Sequence, residues 1–368
     1  MRRNIWAGLD VGVETTSVCV IDDAGEILQQ DSCGSDVSSV HQQLRWLRRR
    51  RMATVGVEAG ALTLARGLRS RGYCVEMYET RQLSKFLRVR RNKTDAGDAL
   101  GIAEAGRIGA SLVSKVHLKS LECQSLQSRL TMRRHLIRQR VAAVNLLCRQ
   151  IELYGGRIRR SNRQKPLRDQ VEVQLKRLFG KHPNGLTLEL RHLLAYCEQL
   201  FGYQKAIDGE FKRLASDNEV CRRLMTIPGV GPICALTFYA IVSDPHRFRR
   251  SQSIGSYLGL TPRVHQSGLS NRAGRISRMG NAAMRTLLVQ AALAFMRSKH
   301  ADPALRSWAL SIEQRRGRGQ SRIALARKLA VIMVAMWKRG EAYRPSSQLP
   351  ARLPAGTEPS PEAASAHL

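Results

Sequence analysis

The stretch NIWAGLDVGVETTSVCVI, residues 4–21, decides the fold class of the N-terminal part of the chain. It is rich in β-branched and apolar residues around a glycine-containing turn, which predicts two strands. ATVGVEAG at 53–60 and YCVEMYE at 73–79 predict further strands, whereas GALTLARGLRSRG at 60–72 and TDAGDALGIAEAGRIG at 94–109 predict helices. Strands that alternate with helices indicate an α/β layer with a partly parallel sheet.

Composition points to a polyanionic partner. The chain has 368 residues, of which 43% are apolar, so it is long enough for two or three domains with real cores. Its 61 Lys and Arg residues against 29 Asp and Glu give a formal net charge of +32. Because such a chain repels itself unless a polyanion neutralises it, we expect a nucleic-acid partner.

The sequence gives no sign of a membrane or a disulfide framework. Its apolar runs fall short of the about 20 residues that a bilayer span needs. The eight cysteines are scattered and contain no C-x-x-C pair, so we expect reduced, unligated thiols. These features predict a cytoplasmic protein with no membrane partner, and the positive charge favours a nucleoid-associated protein of bacterial type.

From residue 118 the apolar pattern changes to a period of seven. Such a period predicts two long helices packed as an antiparallel coiled-coil hairpin, whose tip is the basic segment 155–185. The residues of the repeat are Leu130, Ile137, Val144 and Ile151 in the first helix, and Leu186, Leu193, Leu200, Ile207 and Leu214 in the second. Core packing within one chain is the expected role of these stripes, with dimer formation as the alternative.

These patterns divide the chain into four parts. We expect an α/β domain at 1–117, a coiled-coil connector at 118–216 and a mainly α-helical domain at 217–340. The last part, 341–368, is rich in Pro, Ser and Ala and should be disordered.

Four acidic residues lie in small-residue contexts of the predicted α/β domain. Asp10 and Glu58 each end a predicted strand, so their carboxylates should meet at one sheet edge, while Asp95 and Asp98 share a helix face. Carboxylates brought together repel one another unless cations neutralise them. Mg²⁺ prefers such oxygens, and two ions together promote attack at phosphorus. The pattern predicts a site for Mg²⁺, with two ions possible.

Other interpretations of these acids remain open. Asp10 also fits a turn, Glu58 a surface strand end and Asp95 a helix N-terminus. A sugar-kinase or actin-like ATPase shares the DVG-like strand end, but the sequence shows no second glycine-rich phosphate turn or adenosine loop before the predicted coiled coil.

Two segments of the C-terminal part suggest phosphate contacts. LMTIPGVGPICALTFYAIV at 224–242 resembles a helix-hairpin-helix, in which Gly229 and Gly231 let backbone N–H groups approach a phosphate. A hairpin used only for packing is the alternative.

The second segment, SIGSYLGLTPRVHQSGLSNRAGRISRMGNAAMR at 253–285, contains a predicted Gly- and Arg-rich loop with serines beside glycines. Its chemistry alone leaves Ser267, Ser270 and Ser277 open as nucleophiles. His265 is either a proton acceptor or a solvent-facing residue. The arginines expected to clamp phosphate oxygens are Arg263, Arg272, Arg275 and Arg278.

Taken in order, GLDVG, GVEAG, NKTDAGDA, IPGVG and YLGLTPRVHQSG…GRISRMGNAAMR resemble the DEDD transposases or recombinases of the IS110 (IS1111) insertion-sequence family over residues 5–340. The resemblance implies a RuvC-like, RNase H-type N-terminal domain, a coiled-coil connector and a C-terminal transposase domain. It implies Mg²⁺ bound by Asp10, Glu58, Asp95 and Asp98. It also implies a serine that attacks DNA covalently, and the T-P-R-x-x-x-S-G context places that serine at Ser267.

The resemblance further implies partners. These are donor and target DNA, a structured non-coding bridge RNA, and other copies of the chain in a dimer or tetramer. Lys93, in NKTDAGDA, is expected to contact nucleic acid. The competing hypotheses are a junction-resolving or repair nuclease that uses metal-activated water, and a packaging protein whose acids are structural.

Overall fold

The computed structural model describes residues 4–49, 53–89, 94–109, 112–159, 164–180, 185–267 and 270–345. The chain divides into two compact units, Met1–Lys119 and Ser120–Leu368. None of the helices in the described ranges is both long and apolar enough to span a bilayer.

The first unit is built on a six-stranded sheet in the order β3-β2-β1-β4-β5-β6. The strands are β1 Ile5–Val11, β2 Thr15–Asp22, β3 Ile27–Gly34, β4 Ala53–Glu58, β5 Cys74–Tyr78 and β6 Lys115–Val116. β1, β4 and β5 run parallel, whereas β2 and β3 form an antiparallel flank and β6 pairs antiparallel with β5. The predicted, partly parallel sheet is confirmed, and β3 is an addition to it.

Helices cover both faces of this sheet. They are α1 Val37–Leu44, α2 Leu62–Ser70, α3 Thr80–Leu87 and α4 Asp95–Ile108. Leu44 of α1 and Leu68 of α2 are fully buried in a core with Leu9 of β1. On the opposite face, Ala99 and Ala103 of α4 pack with Cys19 of β2. The mixed α/β sheet with helices on both faces is consistent with an RNase H-like unit.

α4 lies directly on the backbone of β1. A Cβ atom added to Gly8 would overlap the Ala99 carbonyl oxygen and the Ala103 amide nitrogen. The space above Gly56 of β4 is also occupied, because an added Cβ would lie 2.6 Å from the ring of Tyr78. Glycine is required at Gly8 because no side chain fits between strand and helix.

The second unit begins with a long pair of helices. α5 Leu121–Leu153 and α7 Gly185–Asp217 each have 33 residues. They are antiparallel, since Arg129 of α5 pairs with Glu210 at 3.0 Å and Arg133 pairs with Asp208 at 2.6 Å. A third helix, α6 Gln164–Phe179, packs on α7 within the segment predicted as the basic tip.

Several buried residues of α7 lie one position after the residues that the seven-residue repeat predicted. Spacings of three and four residues separate the buried positions at its start, as in a heptad repeat. The buried residues of α7 are Thr187, Leu190, Leu194, Cys197, Leu200, Phe201, Phe211 and Ala215. The predicted Leu186, Leu193, Ile207 and Leu214 flank this stripe and are only partly buried. Supercoiling of the pair stays a prediction.

The rest of the second unit is mainly helical. Its helices are α8 Glu219–Leu224, α9 Pro232–Val242, α10 Ile254–Tyr257, α11 Ala282–Arg297, α12 Pro303–Arg316 and α13 Arg318–Arg339. Phe238, Phe295 and Met333 are fully buried at the centre of their shared core. The predicted mainly helical character of this region is confirmed.

Two features differ from the sequence expectation or extend it. The serine-rich segment forms an antiparallel hairpin, β7 Pro262–Ser267 and β8 Ser270–Ile276, where we predicted a loop. Residues 341–345 follow α13, and the Tyr343 amide donates to Thr226 Oγ1 at 2.8 Å. The remainder of the predicted disordered tail lies outside the described residues.

The contact of α4 with β1 generates a stability prediction. Gly8→Ala should lower the free energy of unfolding by about 1–3 kcal/mol, because the added methyl group must push α4 away from the sheet. The measurement is urea-induced unfolding of the full chain. The control is Gly60→Ala, whose added Cβ meets no atom within 4 Å. Equal unfolding midpoints for the two variants would contradict the packing described.

Candidate active site and nucleic-acid interface

Asp10 and Glu58 occupy equivalent positions on neighbouring strands. β1 and β4 are parallel and in register from Ile5 opposite Ala53 to Leu9 opposite Val57. Asp10 and Glu58 are the next residues of the two strands. Two residues earlier, Gly8 and Gly56 both contact α4. Because strand side chains alternate between faces, Asp10 and Glu58 lie on the α4 face of the sheet.

The other two predicted acids lie in the first turn of α4. Thr94 is the N-cap of this helix, and its Oγ1 accepts a hydrogen bond from the Gly97 amide at 3.0 Å. Asp95 is exposed and Asp98 is partly buried. Asp98 immediately precedes Ala99, whose carbonyl lies against Gly8. The packing of α4 therefore brings all four acids to one face of the sheet.

The four side chains are not gathered as a finished metal site. In the ranges that the structure describes, no three Asp, Glu, His or Cys side chains are grouped as metal ligands. The donor set is nevertheless made only of carboxylate oxygens, which suits a hard divalent cation. The residues fit a metal in their chemistry and in their placement on one face of the sheet.

Ser267 lies at the end of β7, where its backbone pairs with that of Ser270 across the hairpin turn. The backbone of His265 in β7 pairs with that of Arg272 in β8. Residues 268–269, between the strands, lie outside the described part. Ser277 is held at the base of the hairpin. Its amide donates to the Thr261 carbonyl at 2.8 Å, and its Oγ accepts from the Met279 amide at 3.4 Å.

The predicted arginines of this segment differ in environment. Arg263 of β7 donates from Nη2 to the carbonyl of Ser277, the residue after β8, at 3.1 Å. Arg275 and Arg278 line a groove shared with α12 and α13. Arg278 has a φ of 56°, in the left-handed region that non-glycine residues avoid. A strained arginine beside a groove is a feature of a functional site.

Arg285 of α11 is a further basic residue at the hairpin base that the sequence did not single out. Its Nη1 donates to the carbonyls of Gly280, at 2.9 Å, and Leu258, at 3.2 Å. Burial, and then the like charge of Arg278, lower the pKa of Arg285 from its usual value. Arg285 and Arg278 thus place two positive charges close together at this turn.

The segment predicted as a helix-hairpin-helix, 224–242, begins at the last residue of α8 and continues through a turn into α9. Gly229 has a φ of 86°, and an added Cβ would lie 2.5 Å from the Ala291 carbonyl of α11. The backbone of Gly229 therefore packs closely against α11 of the protein itself. Gly231 is exposed, caps α9 and has no atom within 4 Å of an added Cβ. Lys93, the remaining predicted nucleic-acid contact, lies outside the described residues.

Comparison with known proteins gives the same assignment for both units. A transposase family model of the DEDD IS110 type matches residues 7–155. The model of the Transposase IS116/IS110/IS902 family matches residues 221–307. The matched ranges contain the four acids and the β7–β8 hairpin.

Individual relatives extend this match over most of the chain. The transposase for insertion sequence element IS1111A of Coxiella burnetii is 30% identical over 346 residues, covering 92% of this chain and 90% of that protein. A probable family 20 transposase of Pseudomonas aeruginosa is 30% identical, covering 76% and 82%. A pilin gene-inverting protein of Moraxella lacunata is 30% identical, covering 33% and 37%.

An RNase H-like unit with acidic strand ends, followed by a basic helical unit, defines an enzyme of DNA cleavage and rejoining. The chain belongs to the IS110 family of insertion-sequence transposases. DNA is the substrate of this family, in agreement with the charge of +32.

The backbone of Arg278 generates a second prediction. Arg278→Gly should leave the unfolding midpoint unchanged or raise it, because glycine relieves a left-handed conformation that costs other residues about 1–2 kcal/mol. The same variant should bind DNA more weakly in a fluorescence anisotropy titration. Arg275→Gly, in β8, serves as control and should lower stability, because glycine weakens a strand. An equal loss of stability in both variants would contradict the strain assigned to Arg278.

Proposed function

We propose that the chain is the site-specific recombinase that excises and inserts an insertion sequence. The observation that carries the proposal is the placement of Asp10 and Glu58 at equivalent ends of parallel strands, on the face that also holds the first turn of α4. The family assignment and the large positive charge support DNA as the substrate.

In this proposal Asp10, Glu58, Asp95 and Asp98 hold divalent metal. Mg²⁺ suits their hard oxygen donors, and two ions are compatible with four carboxylates. The bound cation would supply neutralisation of the charge that develops on a phosphodiester during cleavage. The four carboxylates would hold the cation at the edge of the sheet. Thr94 caps α4, the helix that carries Asp95 and Asp98.

Ser267 is the proposed nucleophile. Its Oγ forms a bond to the scissile phosphorus while the bond from phosphorus to the leaving sugar oxygen breaks, and the serine proton passes to that oxygen directly or through His265. Rejoining is the reverse, since a sugar hydroxyl attacks the phosphoserine and releases Ser267. Arg263, Arg272, Arg275 and Arg278 are placed on the same hairpin and its base, where their charge favours a phosphate.

The remaining parts of the proposal concern assembly. Ser267 and the carboxylates that act with it would come from different copies of the chain, in a dimer or tetramer. A structured non-coding RNA would select donor and target DNA, and the surplus of 32 positive charges suits an assembly that holds RNA and two duplexes. Such an enzyme would work in the cytoplasm at the nucleoid.

Three structural assignments belong to the same proposal. The α5–α7 pair serves as a coiled-coil connector, and the part of the chain at 217–340 acts as the transposase domain. The exposed Gly231 cap lets the amide groups at the start of α9 receive a DNA phosphate, in the manner of a helix-hairpin-helix. Lys93 would contribute a further contact to nucleic acid beside the acidic site.

The nucleophile is tested with Ser267→Ala. This variant should form no covalent protein–DNA adduct, because it lacks the attacking oxygen, whereas Ser270→Ala on the paired strand should still form one. The measurement is denaturing electrophoresis of end-labelled insertion-junction DNA after incubation with the full chain. Adducts that persist in Ser267→Ala would contradict the assignment, and DNA cleavage without adducts in the wild type would indicate a nuclease that uses water.

The metal site is tested with the isosteric variants Asp10→Asn and Glu58→Gln. Each should lower the rate of strand cleavage by about 100-fold or more, because metal catalysis supplies several kcal/mol. Chelation with EDTA should stop cleavage by the wild type, and added Mg²⁺ should restore it. The matched control is Glu26→Gln. Glu26 is exposed and follows the C-terminal end of β2, at the sheet edge opposite to Asp10 and Glu58. Cleavage at the control rate in both acid variants would refute the site.

A further inference from the structure

A large groove of the second unit extends beyond the residues used in the proposed chemistry, of which only Arg275 and Arg278 line it. It has a volume of about 1040 Å³ and lies between the base of the β7–β8 hairpin and the helices α12 and α13. Its floor is apolar and includes Leu260, Ile276, Ile312 and Val331. This volume matches that of the largest typical pockets for small ligands, about 1,000 Å³, and is enough for a nucleotide.

The rim of this groove is basic. Six cationic side chains line it: Arg275, Arg278, Arg315, Arg316, Arg327 and Lys328. Of the described residues that line it, none is Asp or Glu. Three of the helices and strands that form it thus contribute positive charge without a compensating carboxylate, so the groove favours an anionic occupant.

An exposed tryptophan forms one side of the same groove. Trp308 of α12 lines it and is 39% exposed. Within the described ranges no other aromatic ring stacks on Trp308, in contrast to Trp337, whose ring stacks on Tyr239. An exposed tryptophan in a groove lined by six cations is an arrangement that binds a base and its phosphates together.

We propose that this groove binds an unpaired nucleotide of a DNA strand, with its base stacked on Trp308 and its flanking phosphates on the basic rim. A base within a duplex is already stacked on its neighbours, so only an unpaired one can occupy the apolar floor. Charge alone would also attract duplex DNA, but duplex phosphates make no use of an exposed indole beside a deep apolar floor.

The position of the groove selects DNA as the source of that nucleotide. Pro262, at the start of β7, lines the groove, and Ser267 ends the same strand. At about 3.3 Å per residue, the two positions are separated by roughly 17 Å. A strand cut at Ser267 therefore has nucleotides within reach of the groove. This step of the inference rests on the proposed function of Ser267.

The experiment compares Trp308→Ala with Trp308→Phe and with Leu310→Ala, an exposed apolar position of the same helix outside the groove. The probes are fluorescein-labelled 12-mers: oligothymidylate, oligouridylate and a DNA duplex, each titrated with the full chain. Trp308→Ala should bind oligothymidylate about 5- to 100-fold more weakly than the wild type. Trp308→Phe should retain most of the affinity, and duplex binding should stay unchanged in all three variants.

Salt dependence separates stacking from charge. Arg315→Gln and Arg316→Gln should each reduce the slope of log affinity against log salt for oligothymidylate by about 0.7, because one phosphate contact is lost. Trp308→Ala removes no charge and should leave the slope unchanged. A reduced slope in Trp308→Ala would overturn the stacking role.

Three other results would overturn the proposal. They are oligothymidylate binding by Trp308→Ala equal to that of Leu310→Ala, an equal loss of duplex binding, and a loss confined to oligouridylate. None of these depends on catalysis. If Ser267→Ala still forms adducts while Trp308→Ala loses oligothymidylate binding, the nucleophile assignment fails and the nucleotide groove stands.

Discussion

The direct contact of α4 with the backbone of β1 is the constraint on which the rest of the acidic site depends. Gly8 leaves no room for a side chain beneath Ala99 and Ala103, so the helix and the strand hold one fixed spacing. Its first turn, which carries Asp95 and Asp98, is then set on the face that Asp10 and Glu58 share. Gly8 and Gly56 thus have a packing function, which is to let α4 and Tyr78 lie close against the strands.

The second constraint is electrostatic. A chain with a net charge of +32 gains stability from any polyanion that binds it. In so basic a chain, four carboxylates on one face of the sheet are unusual. Two arginines lie close together at the base of the β7–β8 hairpin, where Arg278 adopts a left-handed backbone and burial, followed by the like charge of Arg278, lowers the pKa of Arg285. Phosphate is the ligand that relieves this excess of positive charge.

The sequence predicted those parts of the fold in which local pattern and tertiary packing agree. The strands β1, β2, β4 and β5, the helices α2 and α4 and the long helix pair were predicted from their residue types and apolar spacing, and all were found. β3 was missed because it is polar and largely exposed at the sheet edge, and the β7–β8 hairpin because its glycines and arginines resemble a loop. Of the site, the strand-end acids were predictable, whereas the groove was not, because Trp308 and Arg327 join Arg275 only through the tertiary fold.

The central claim is that the four carboxylates of this face hold one metal site. Its most direct test is a crystal of the full chain with junction DNA soaked in Mn²⁺, whose anomalous scattering locates the ion without reference to activity. The account predicts anomalous density within ligand distance, about 2.2 Å, of the carboxylates of Asp10 and Glu58 and of at least one of Asp95 and Asp98. Density elsewhere, or a Glu58 carboxylate turned away from an ion that the other acids hold, would contradict it.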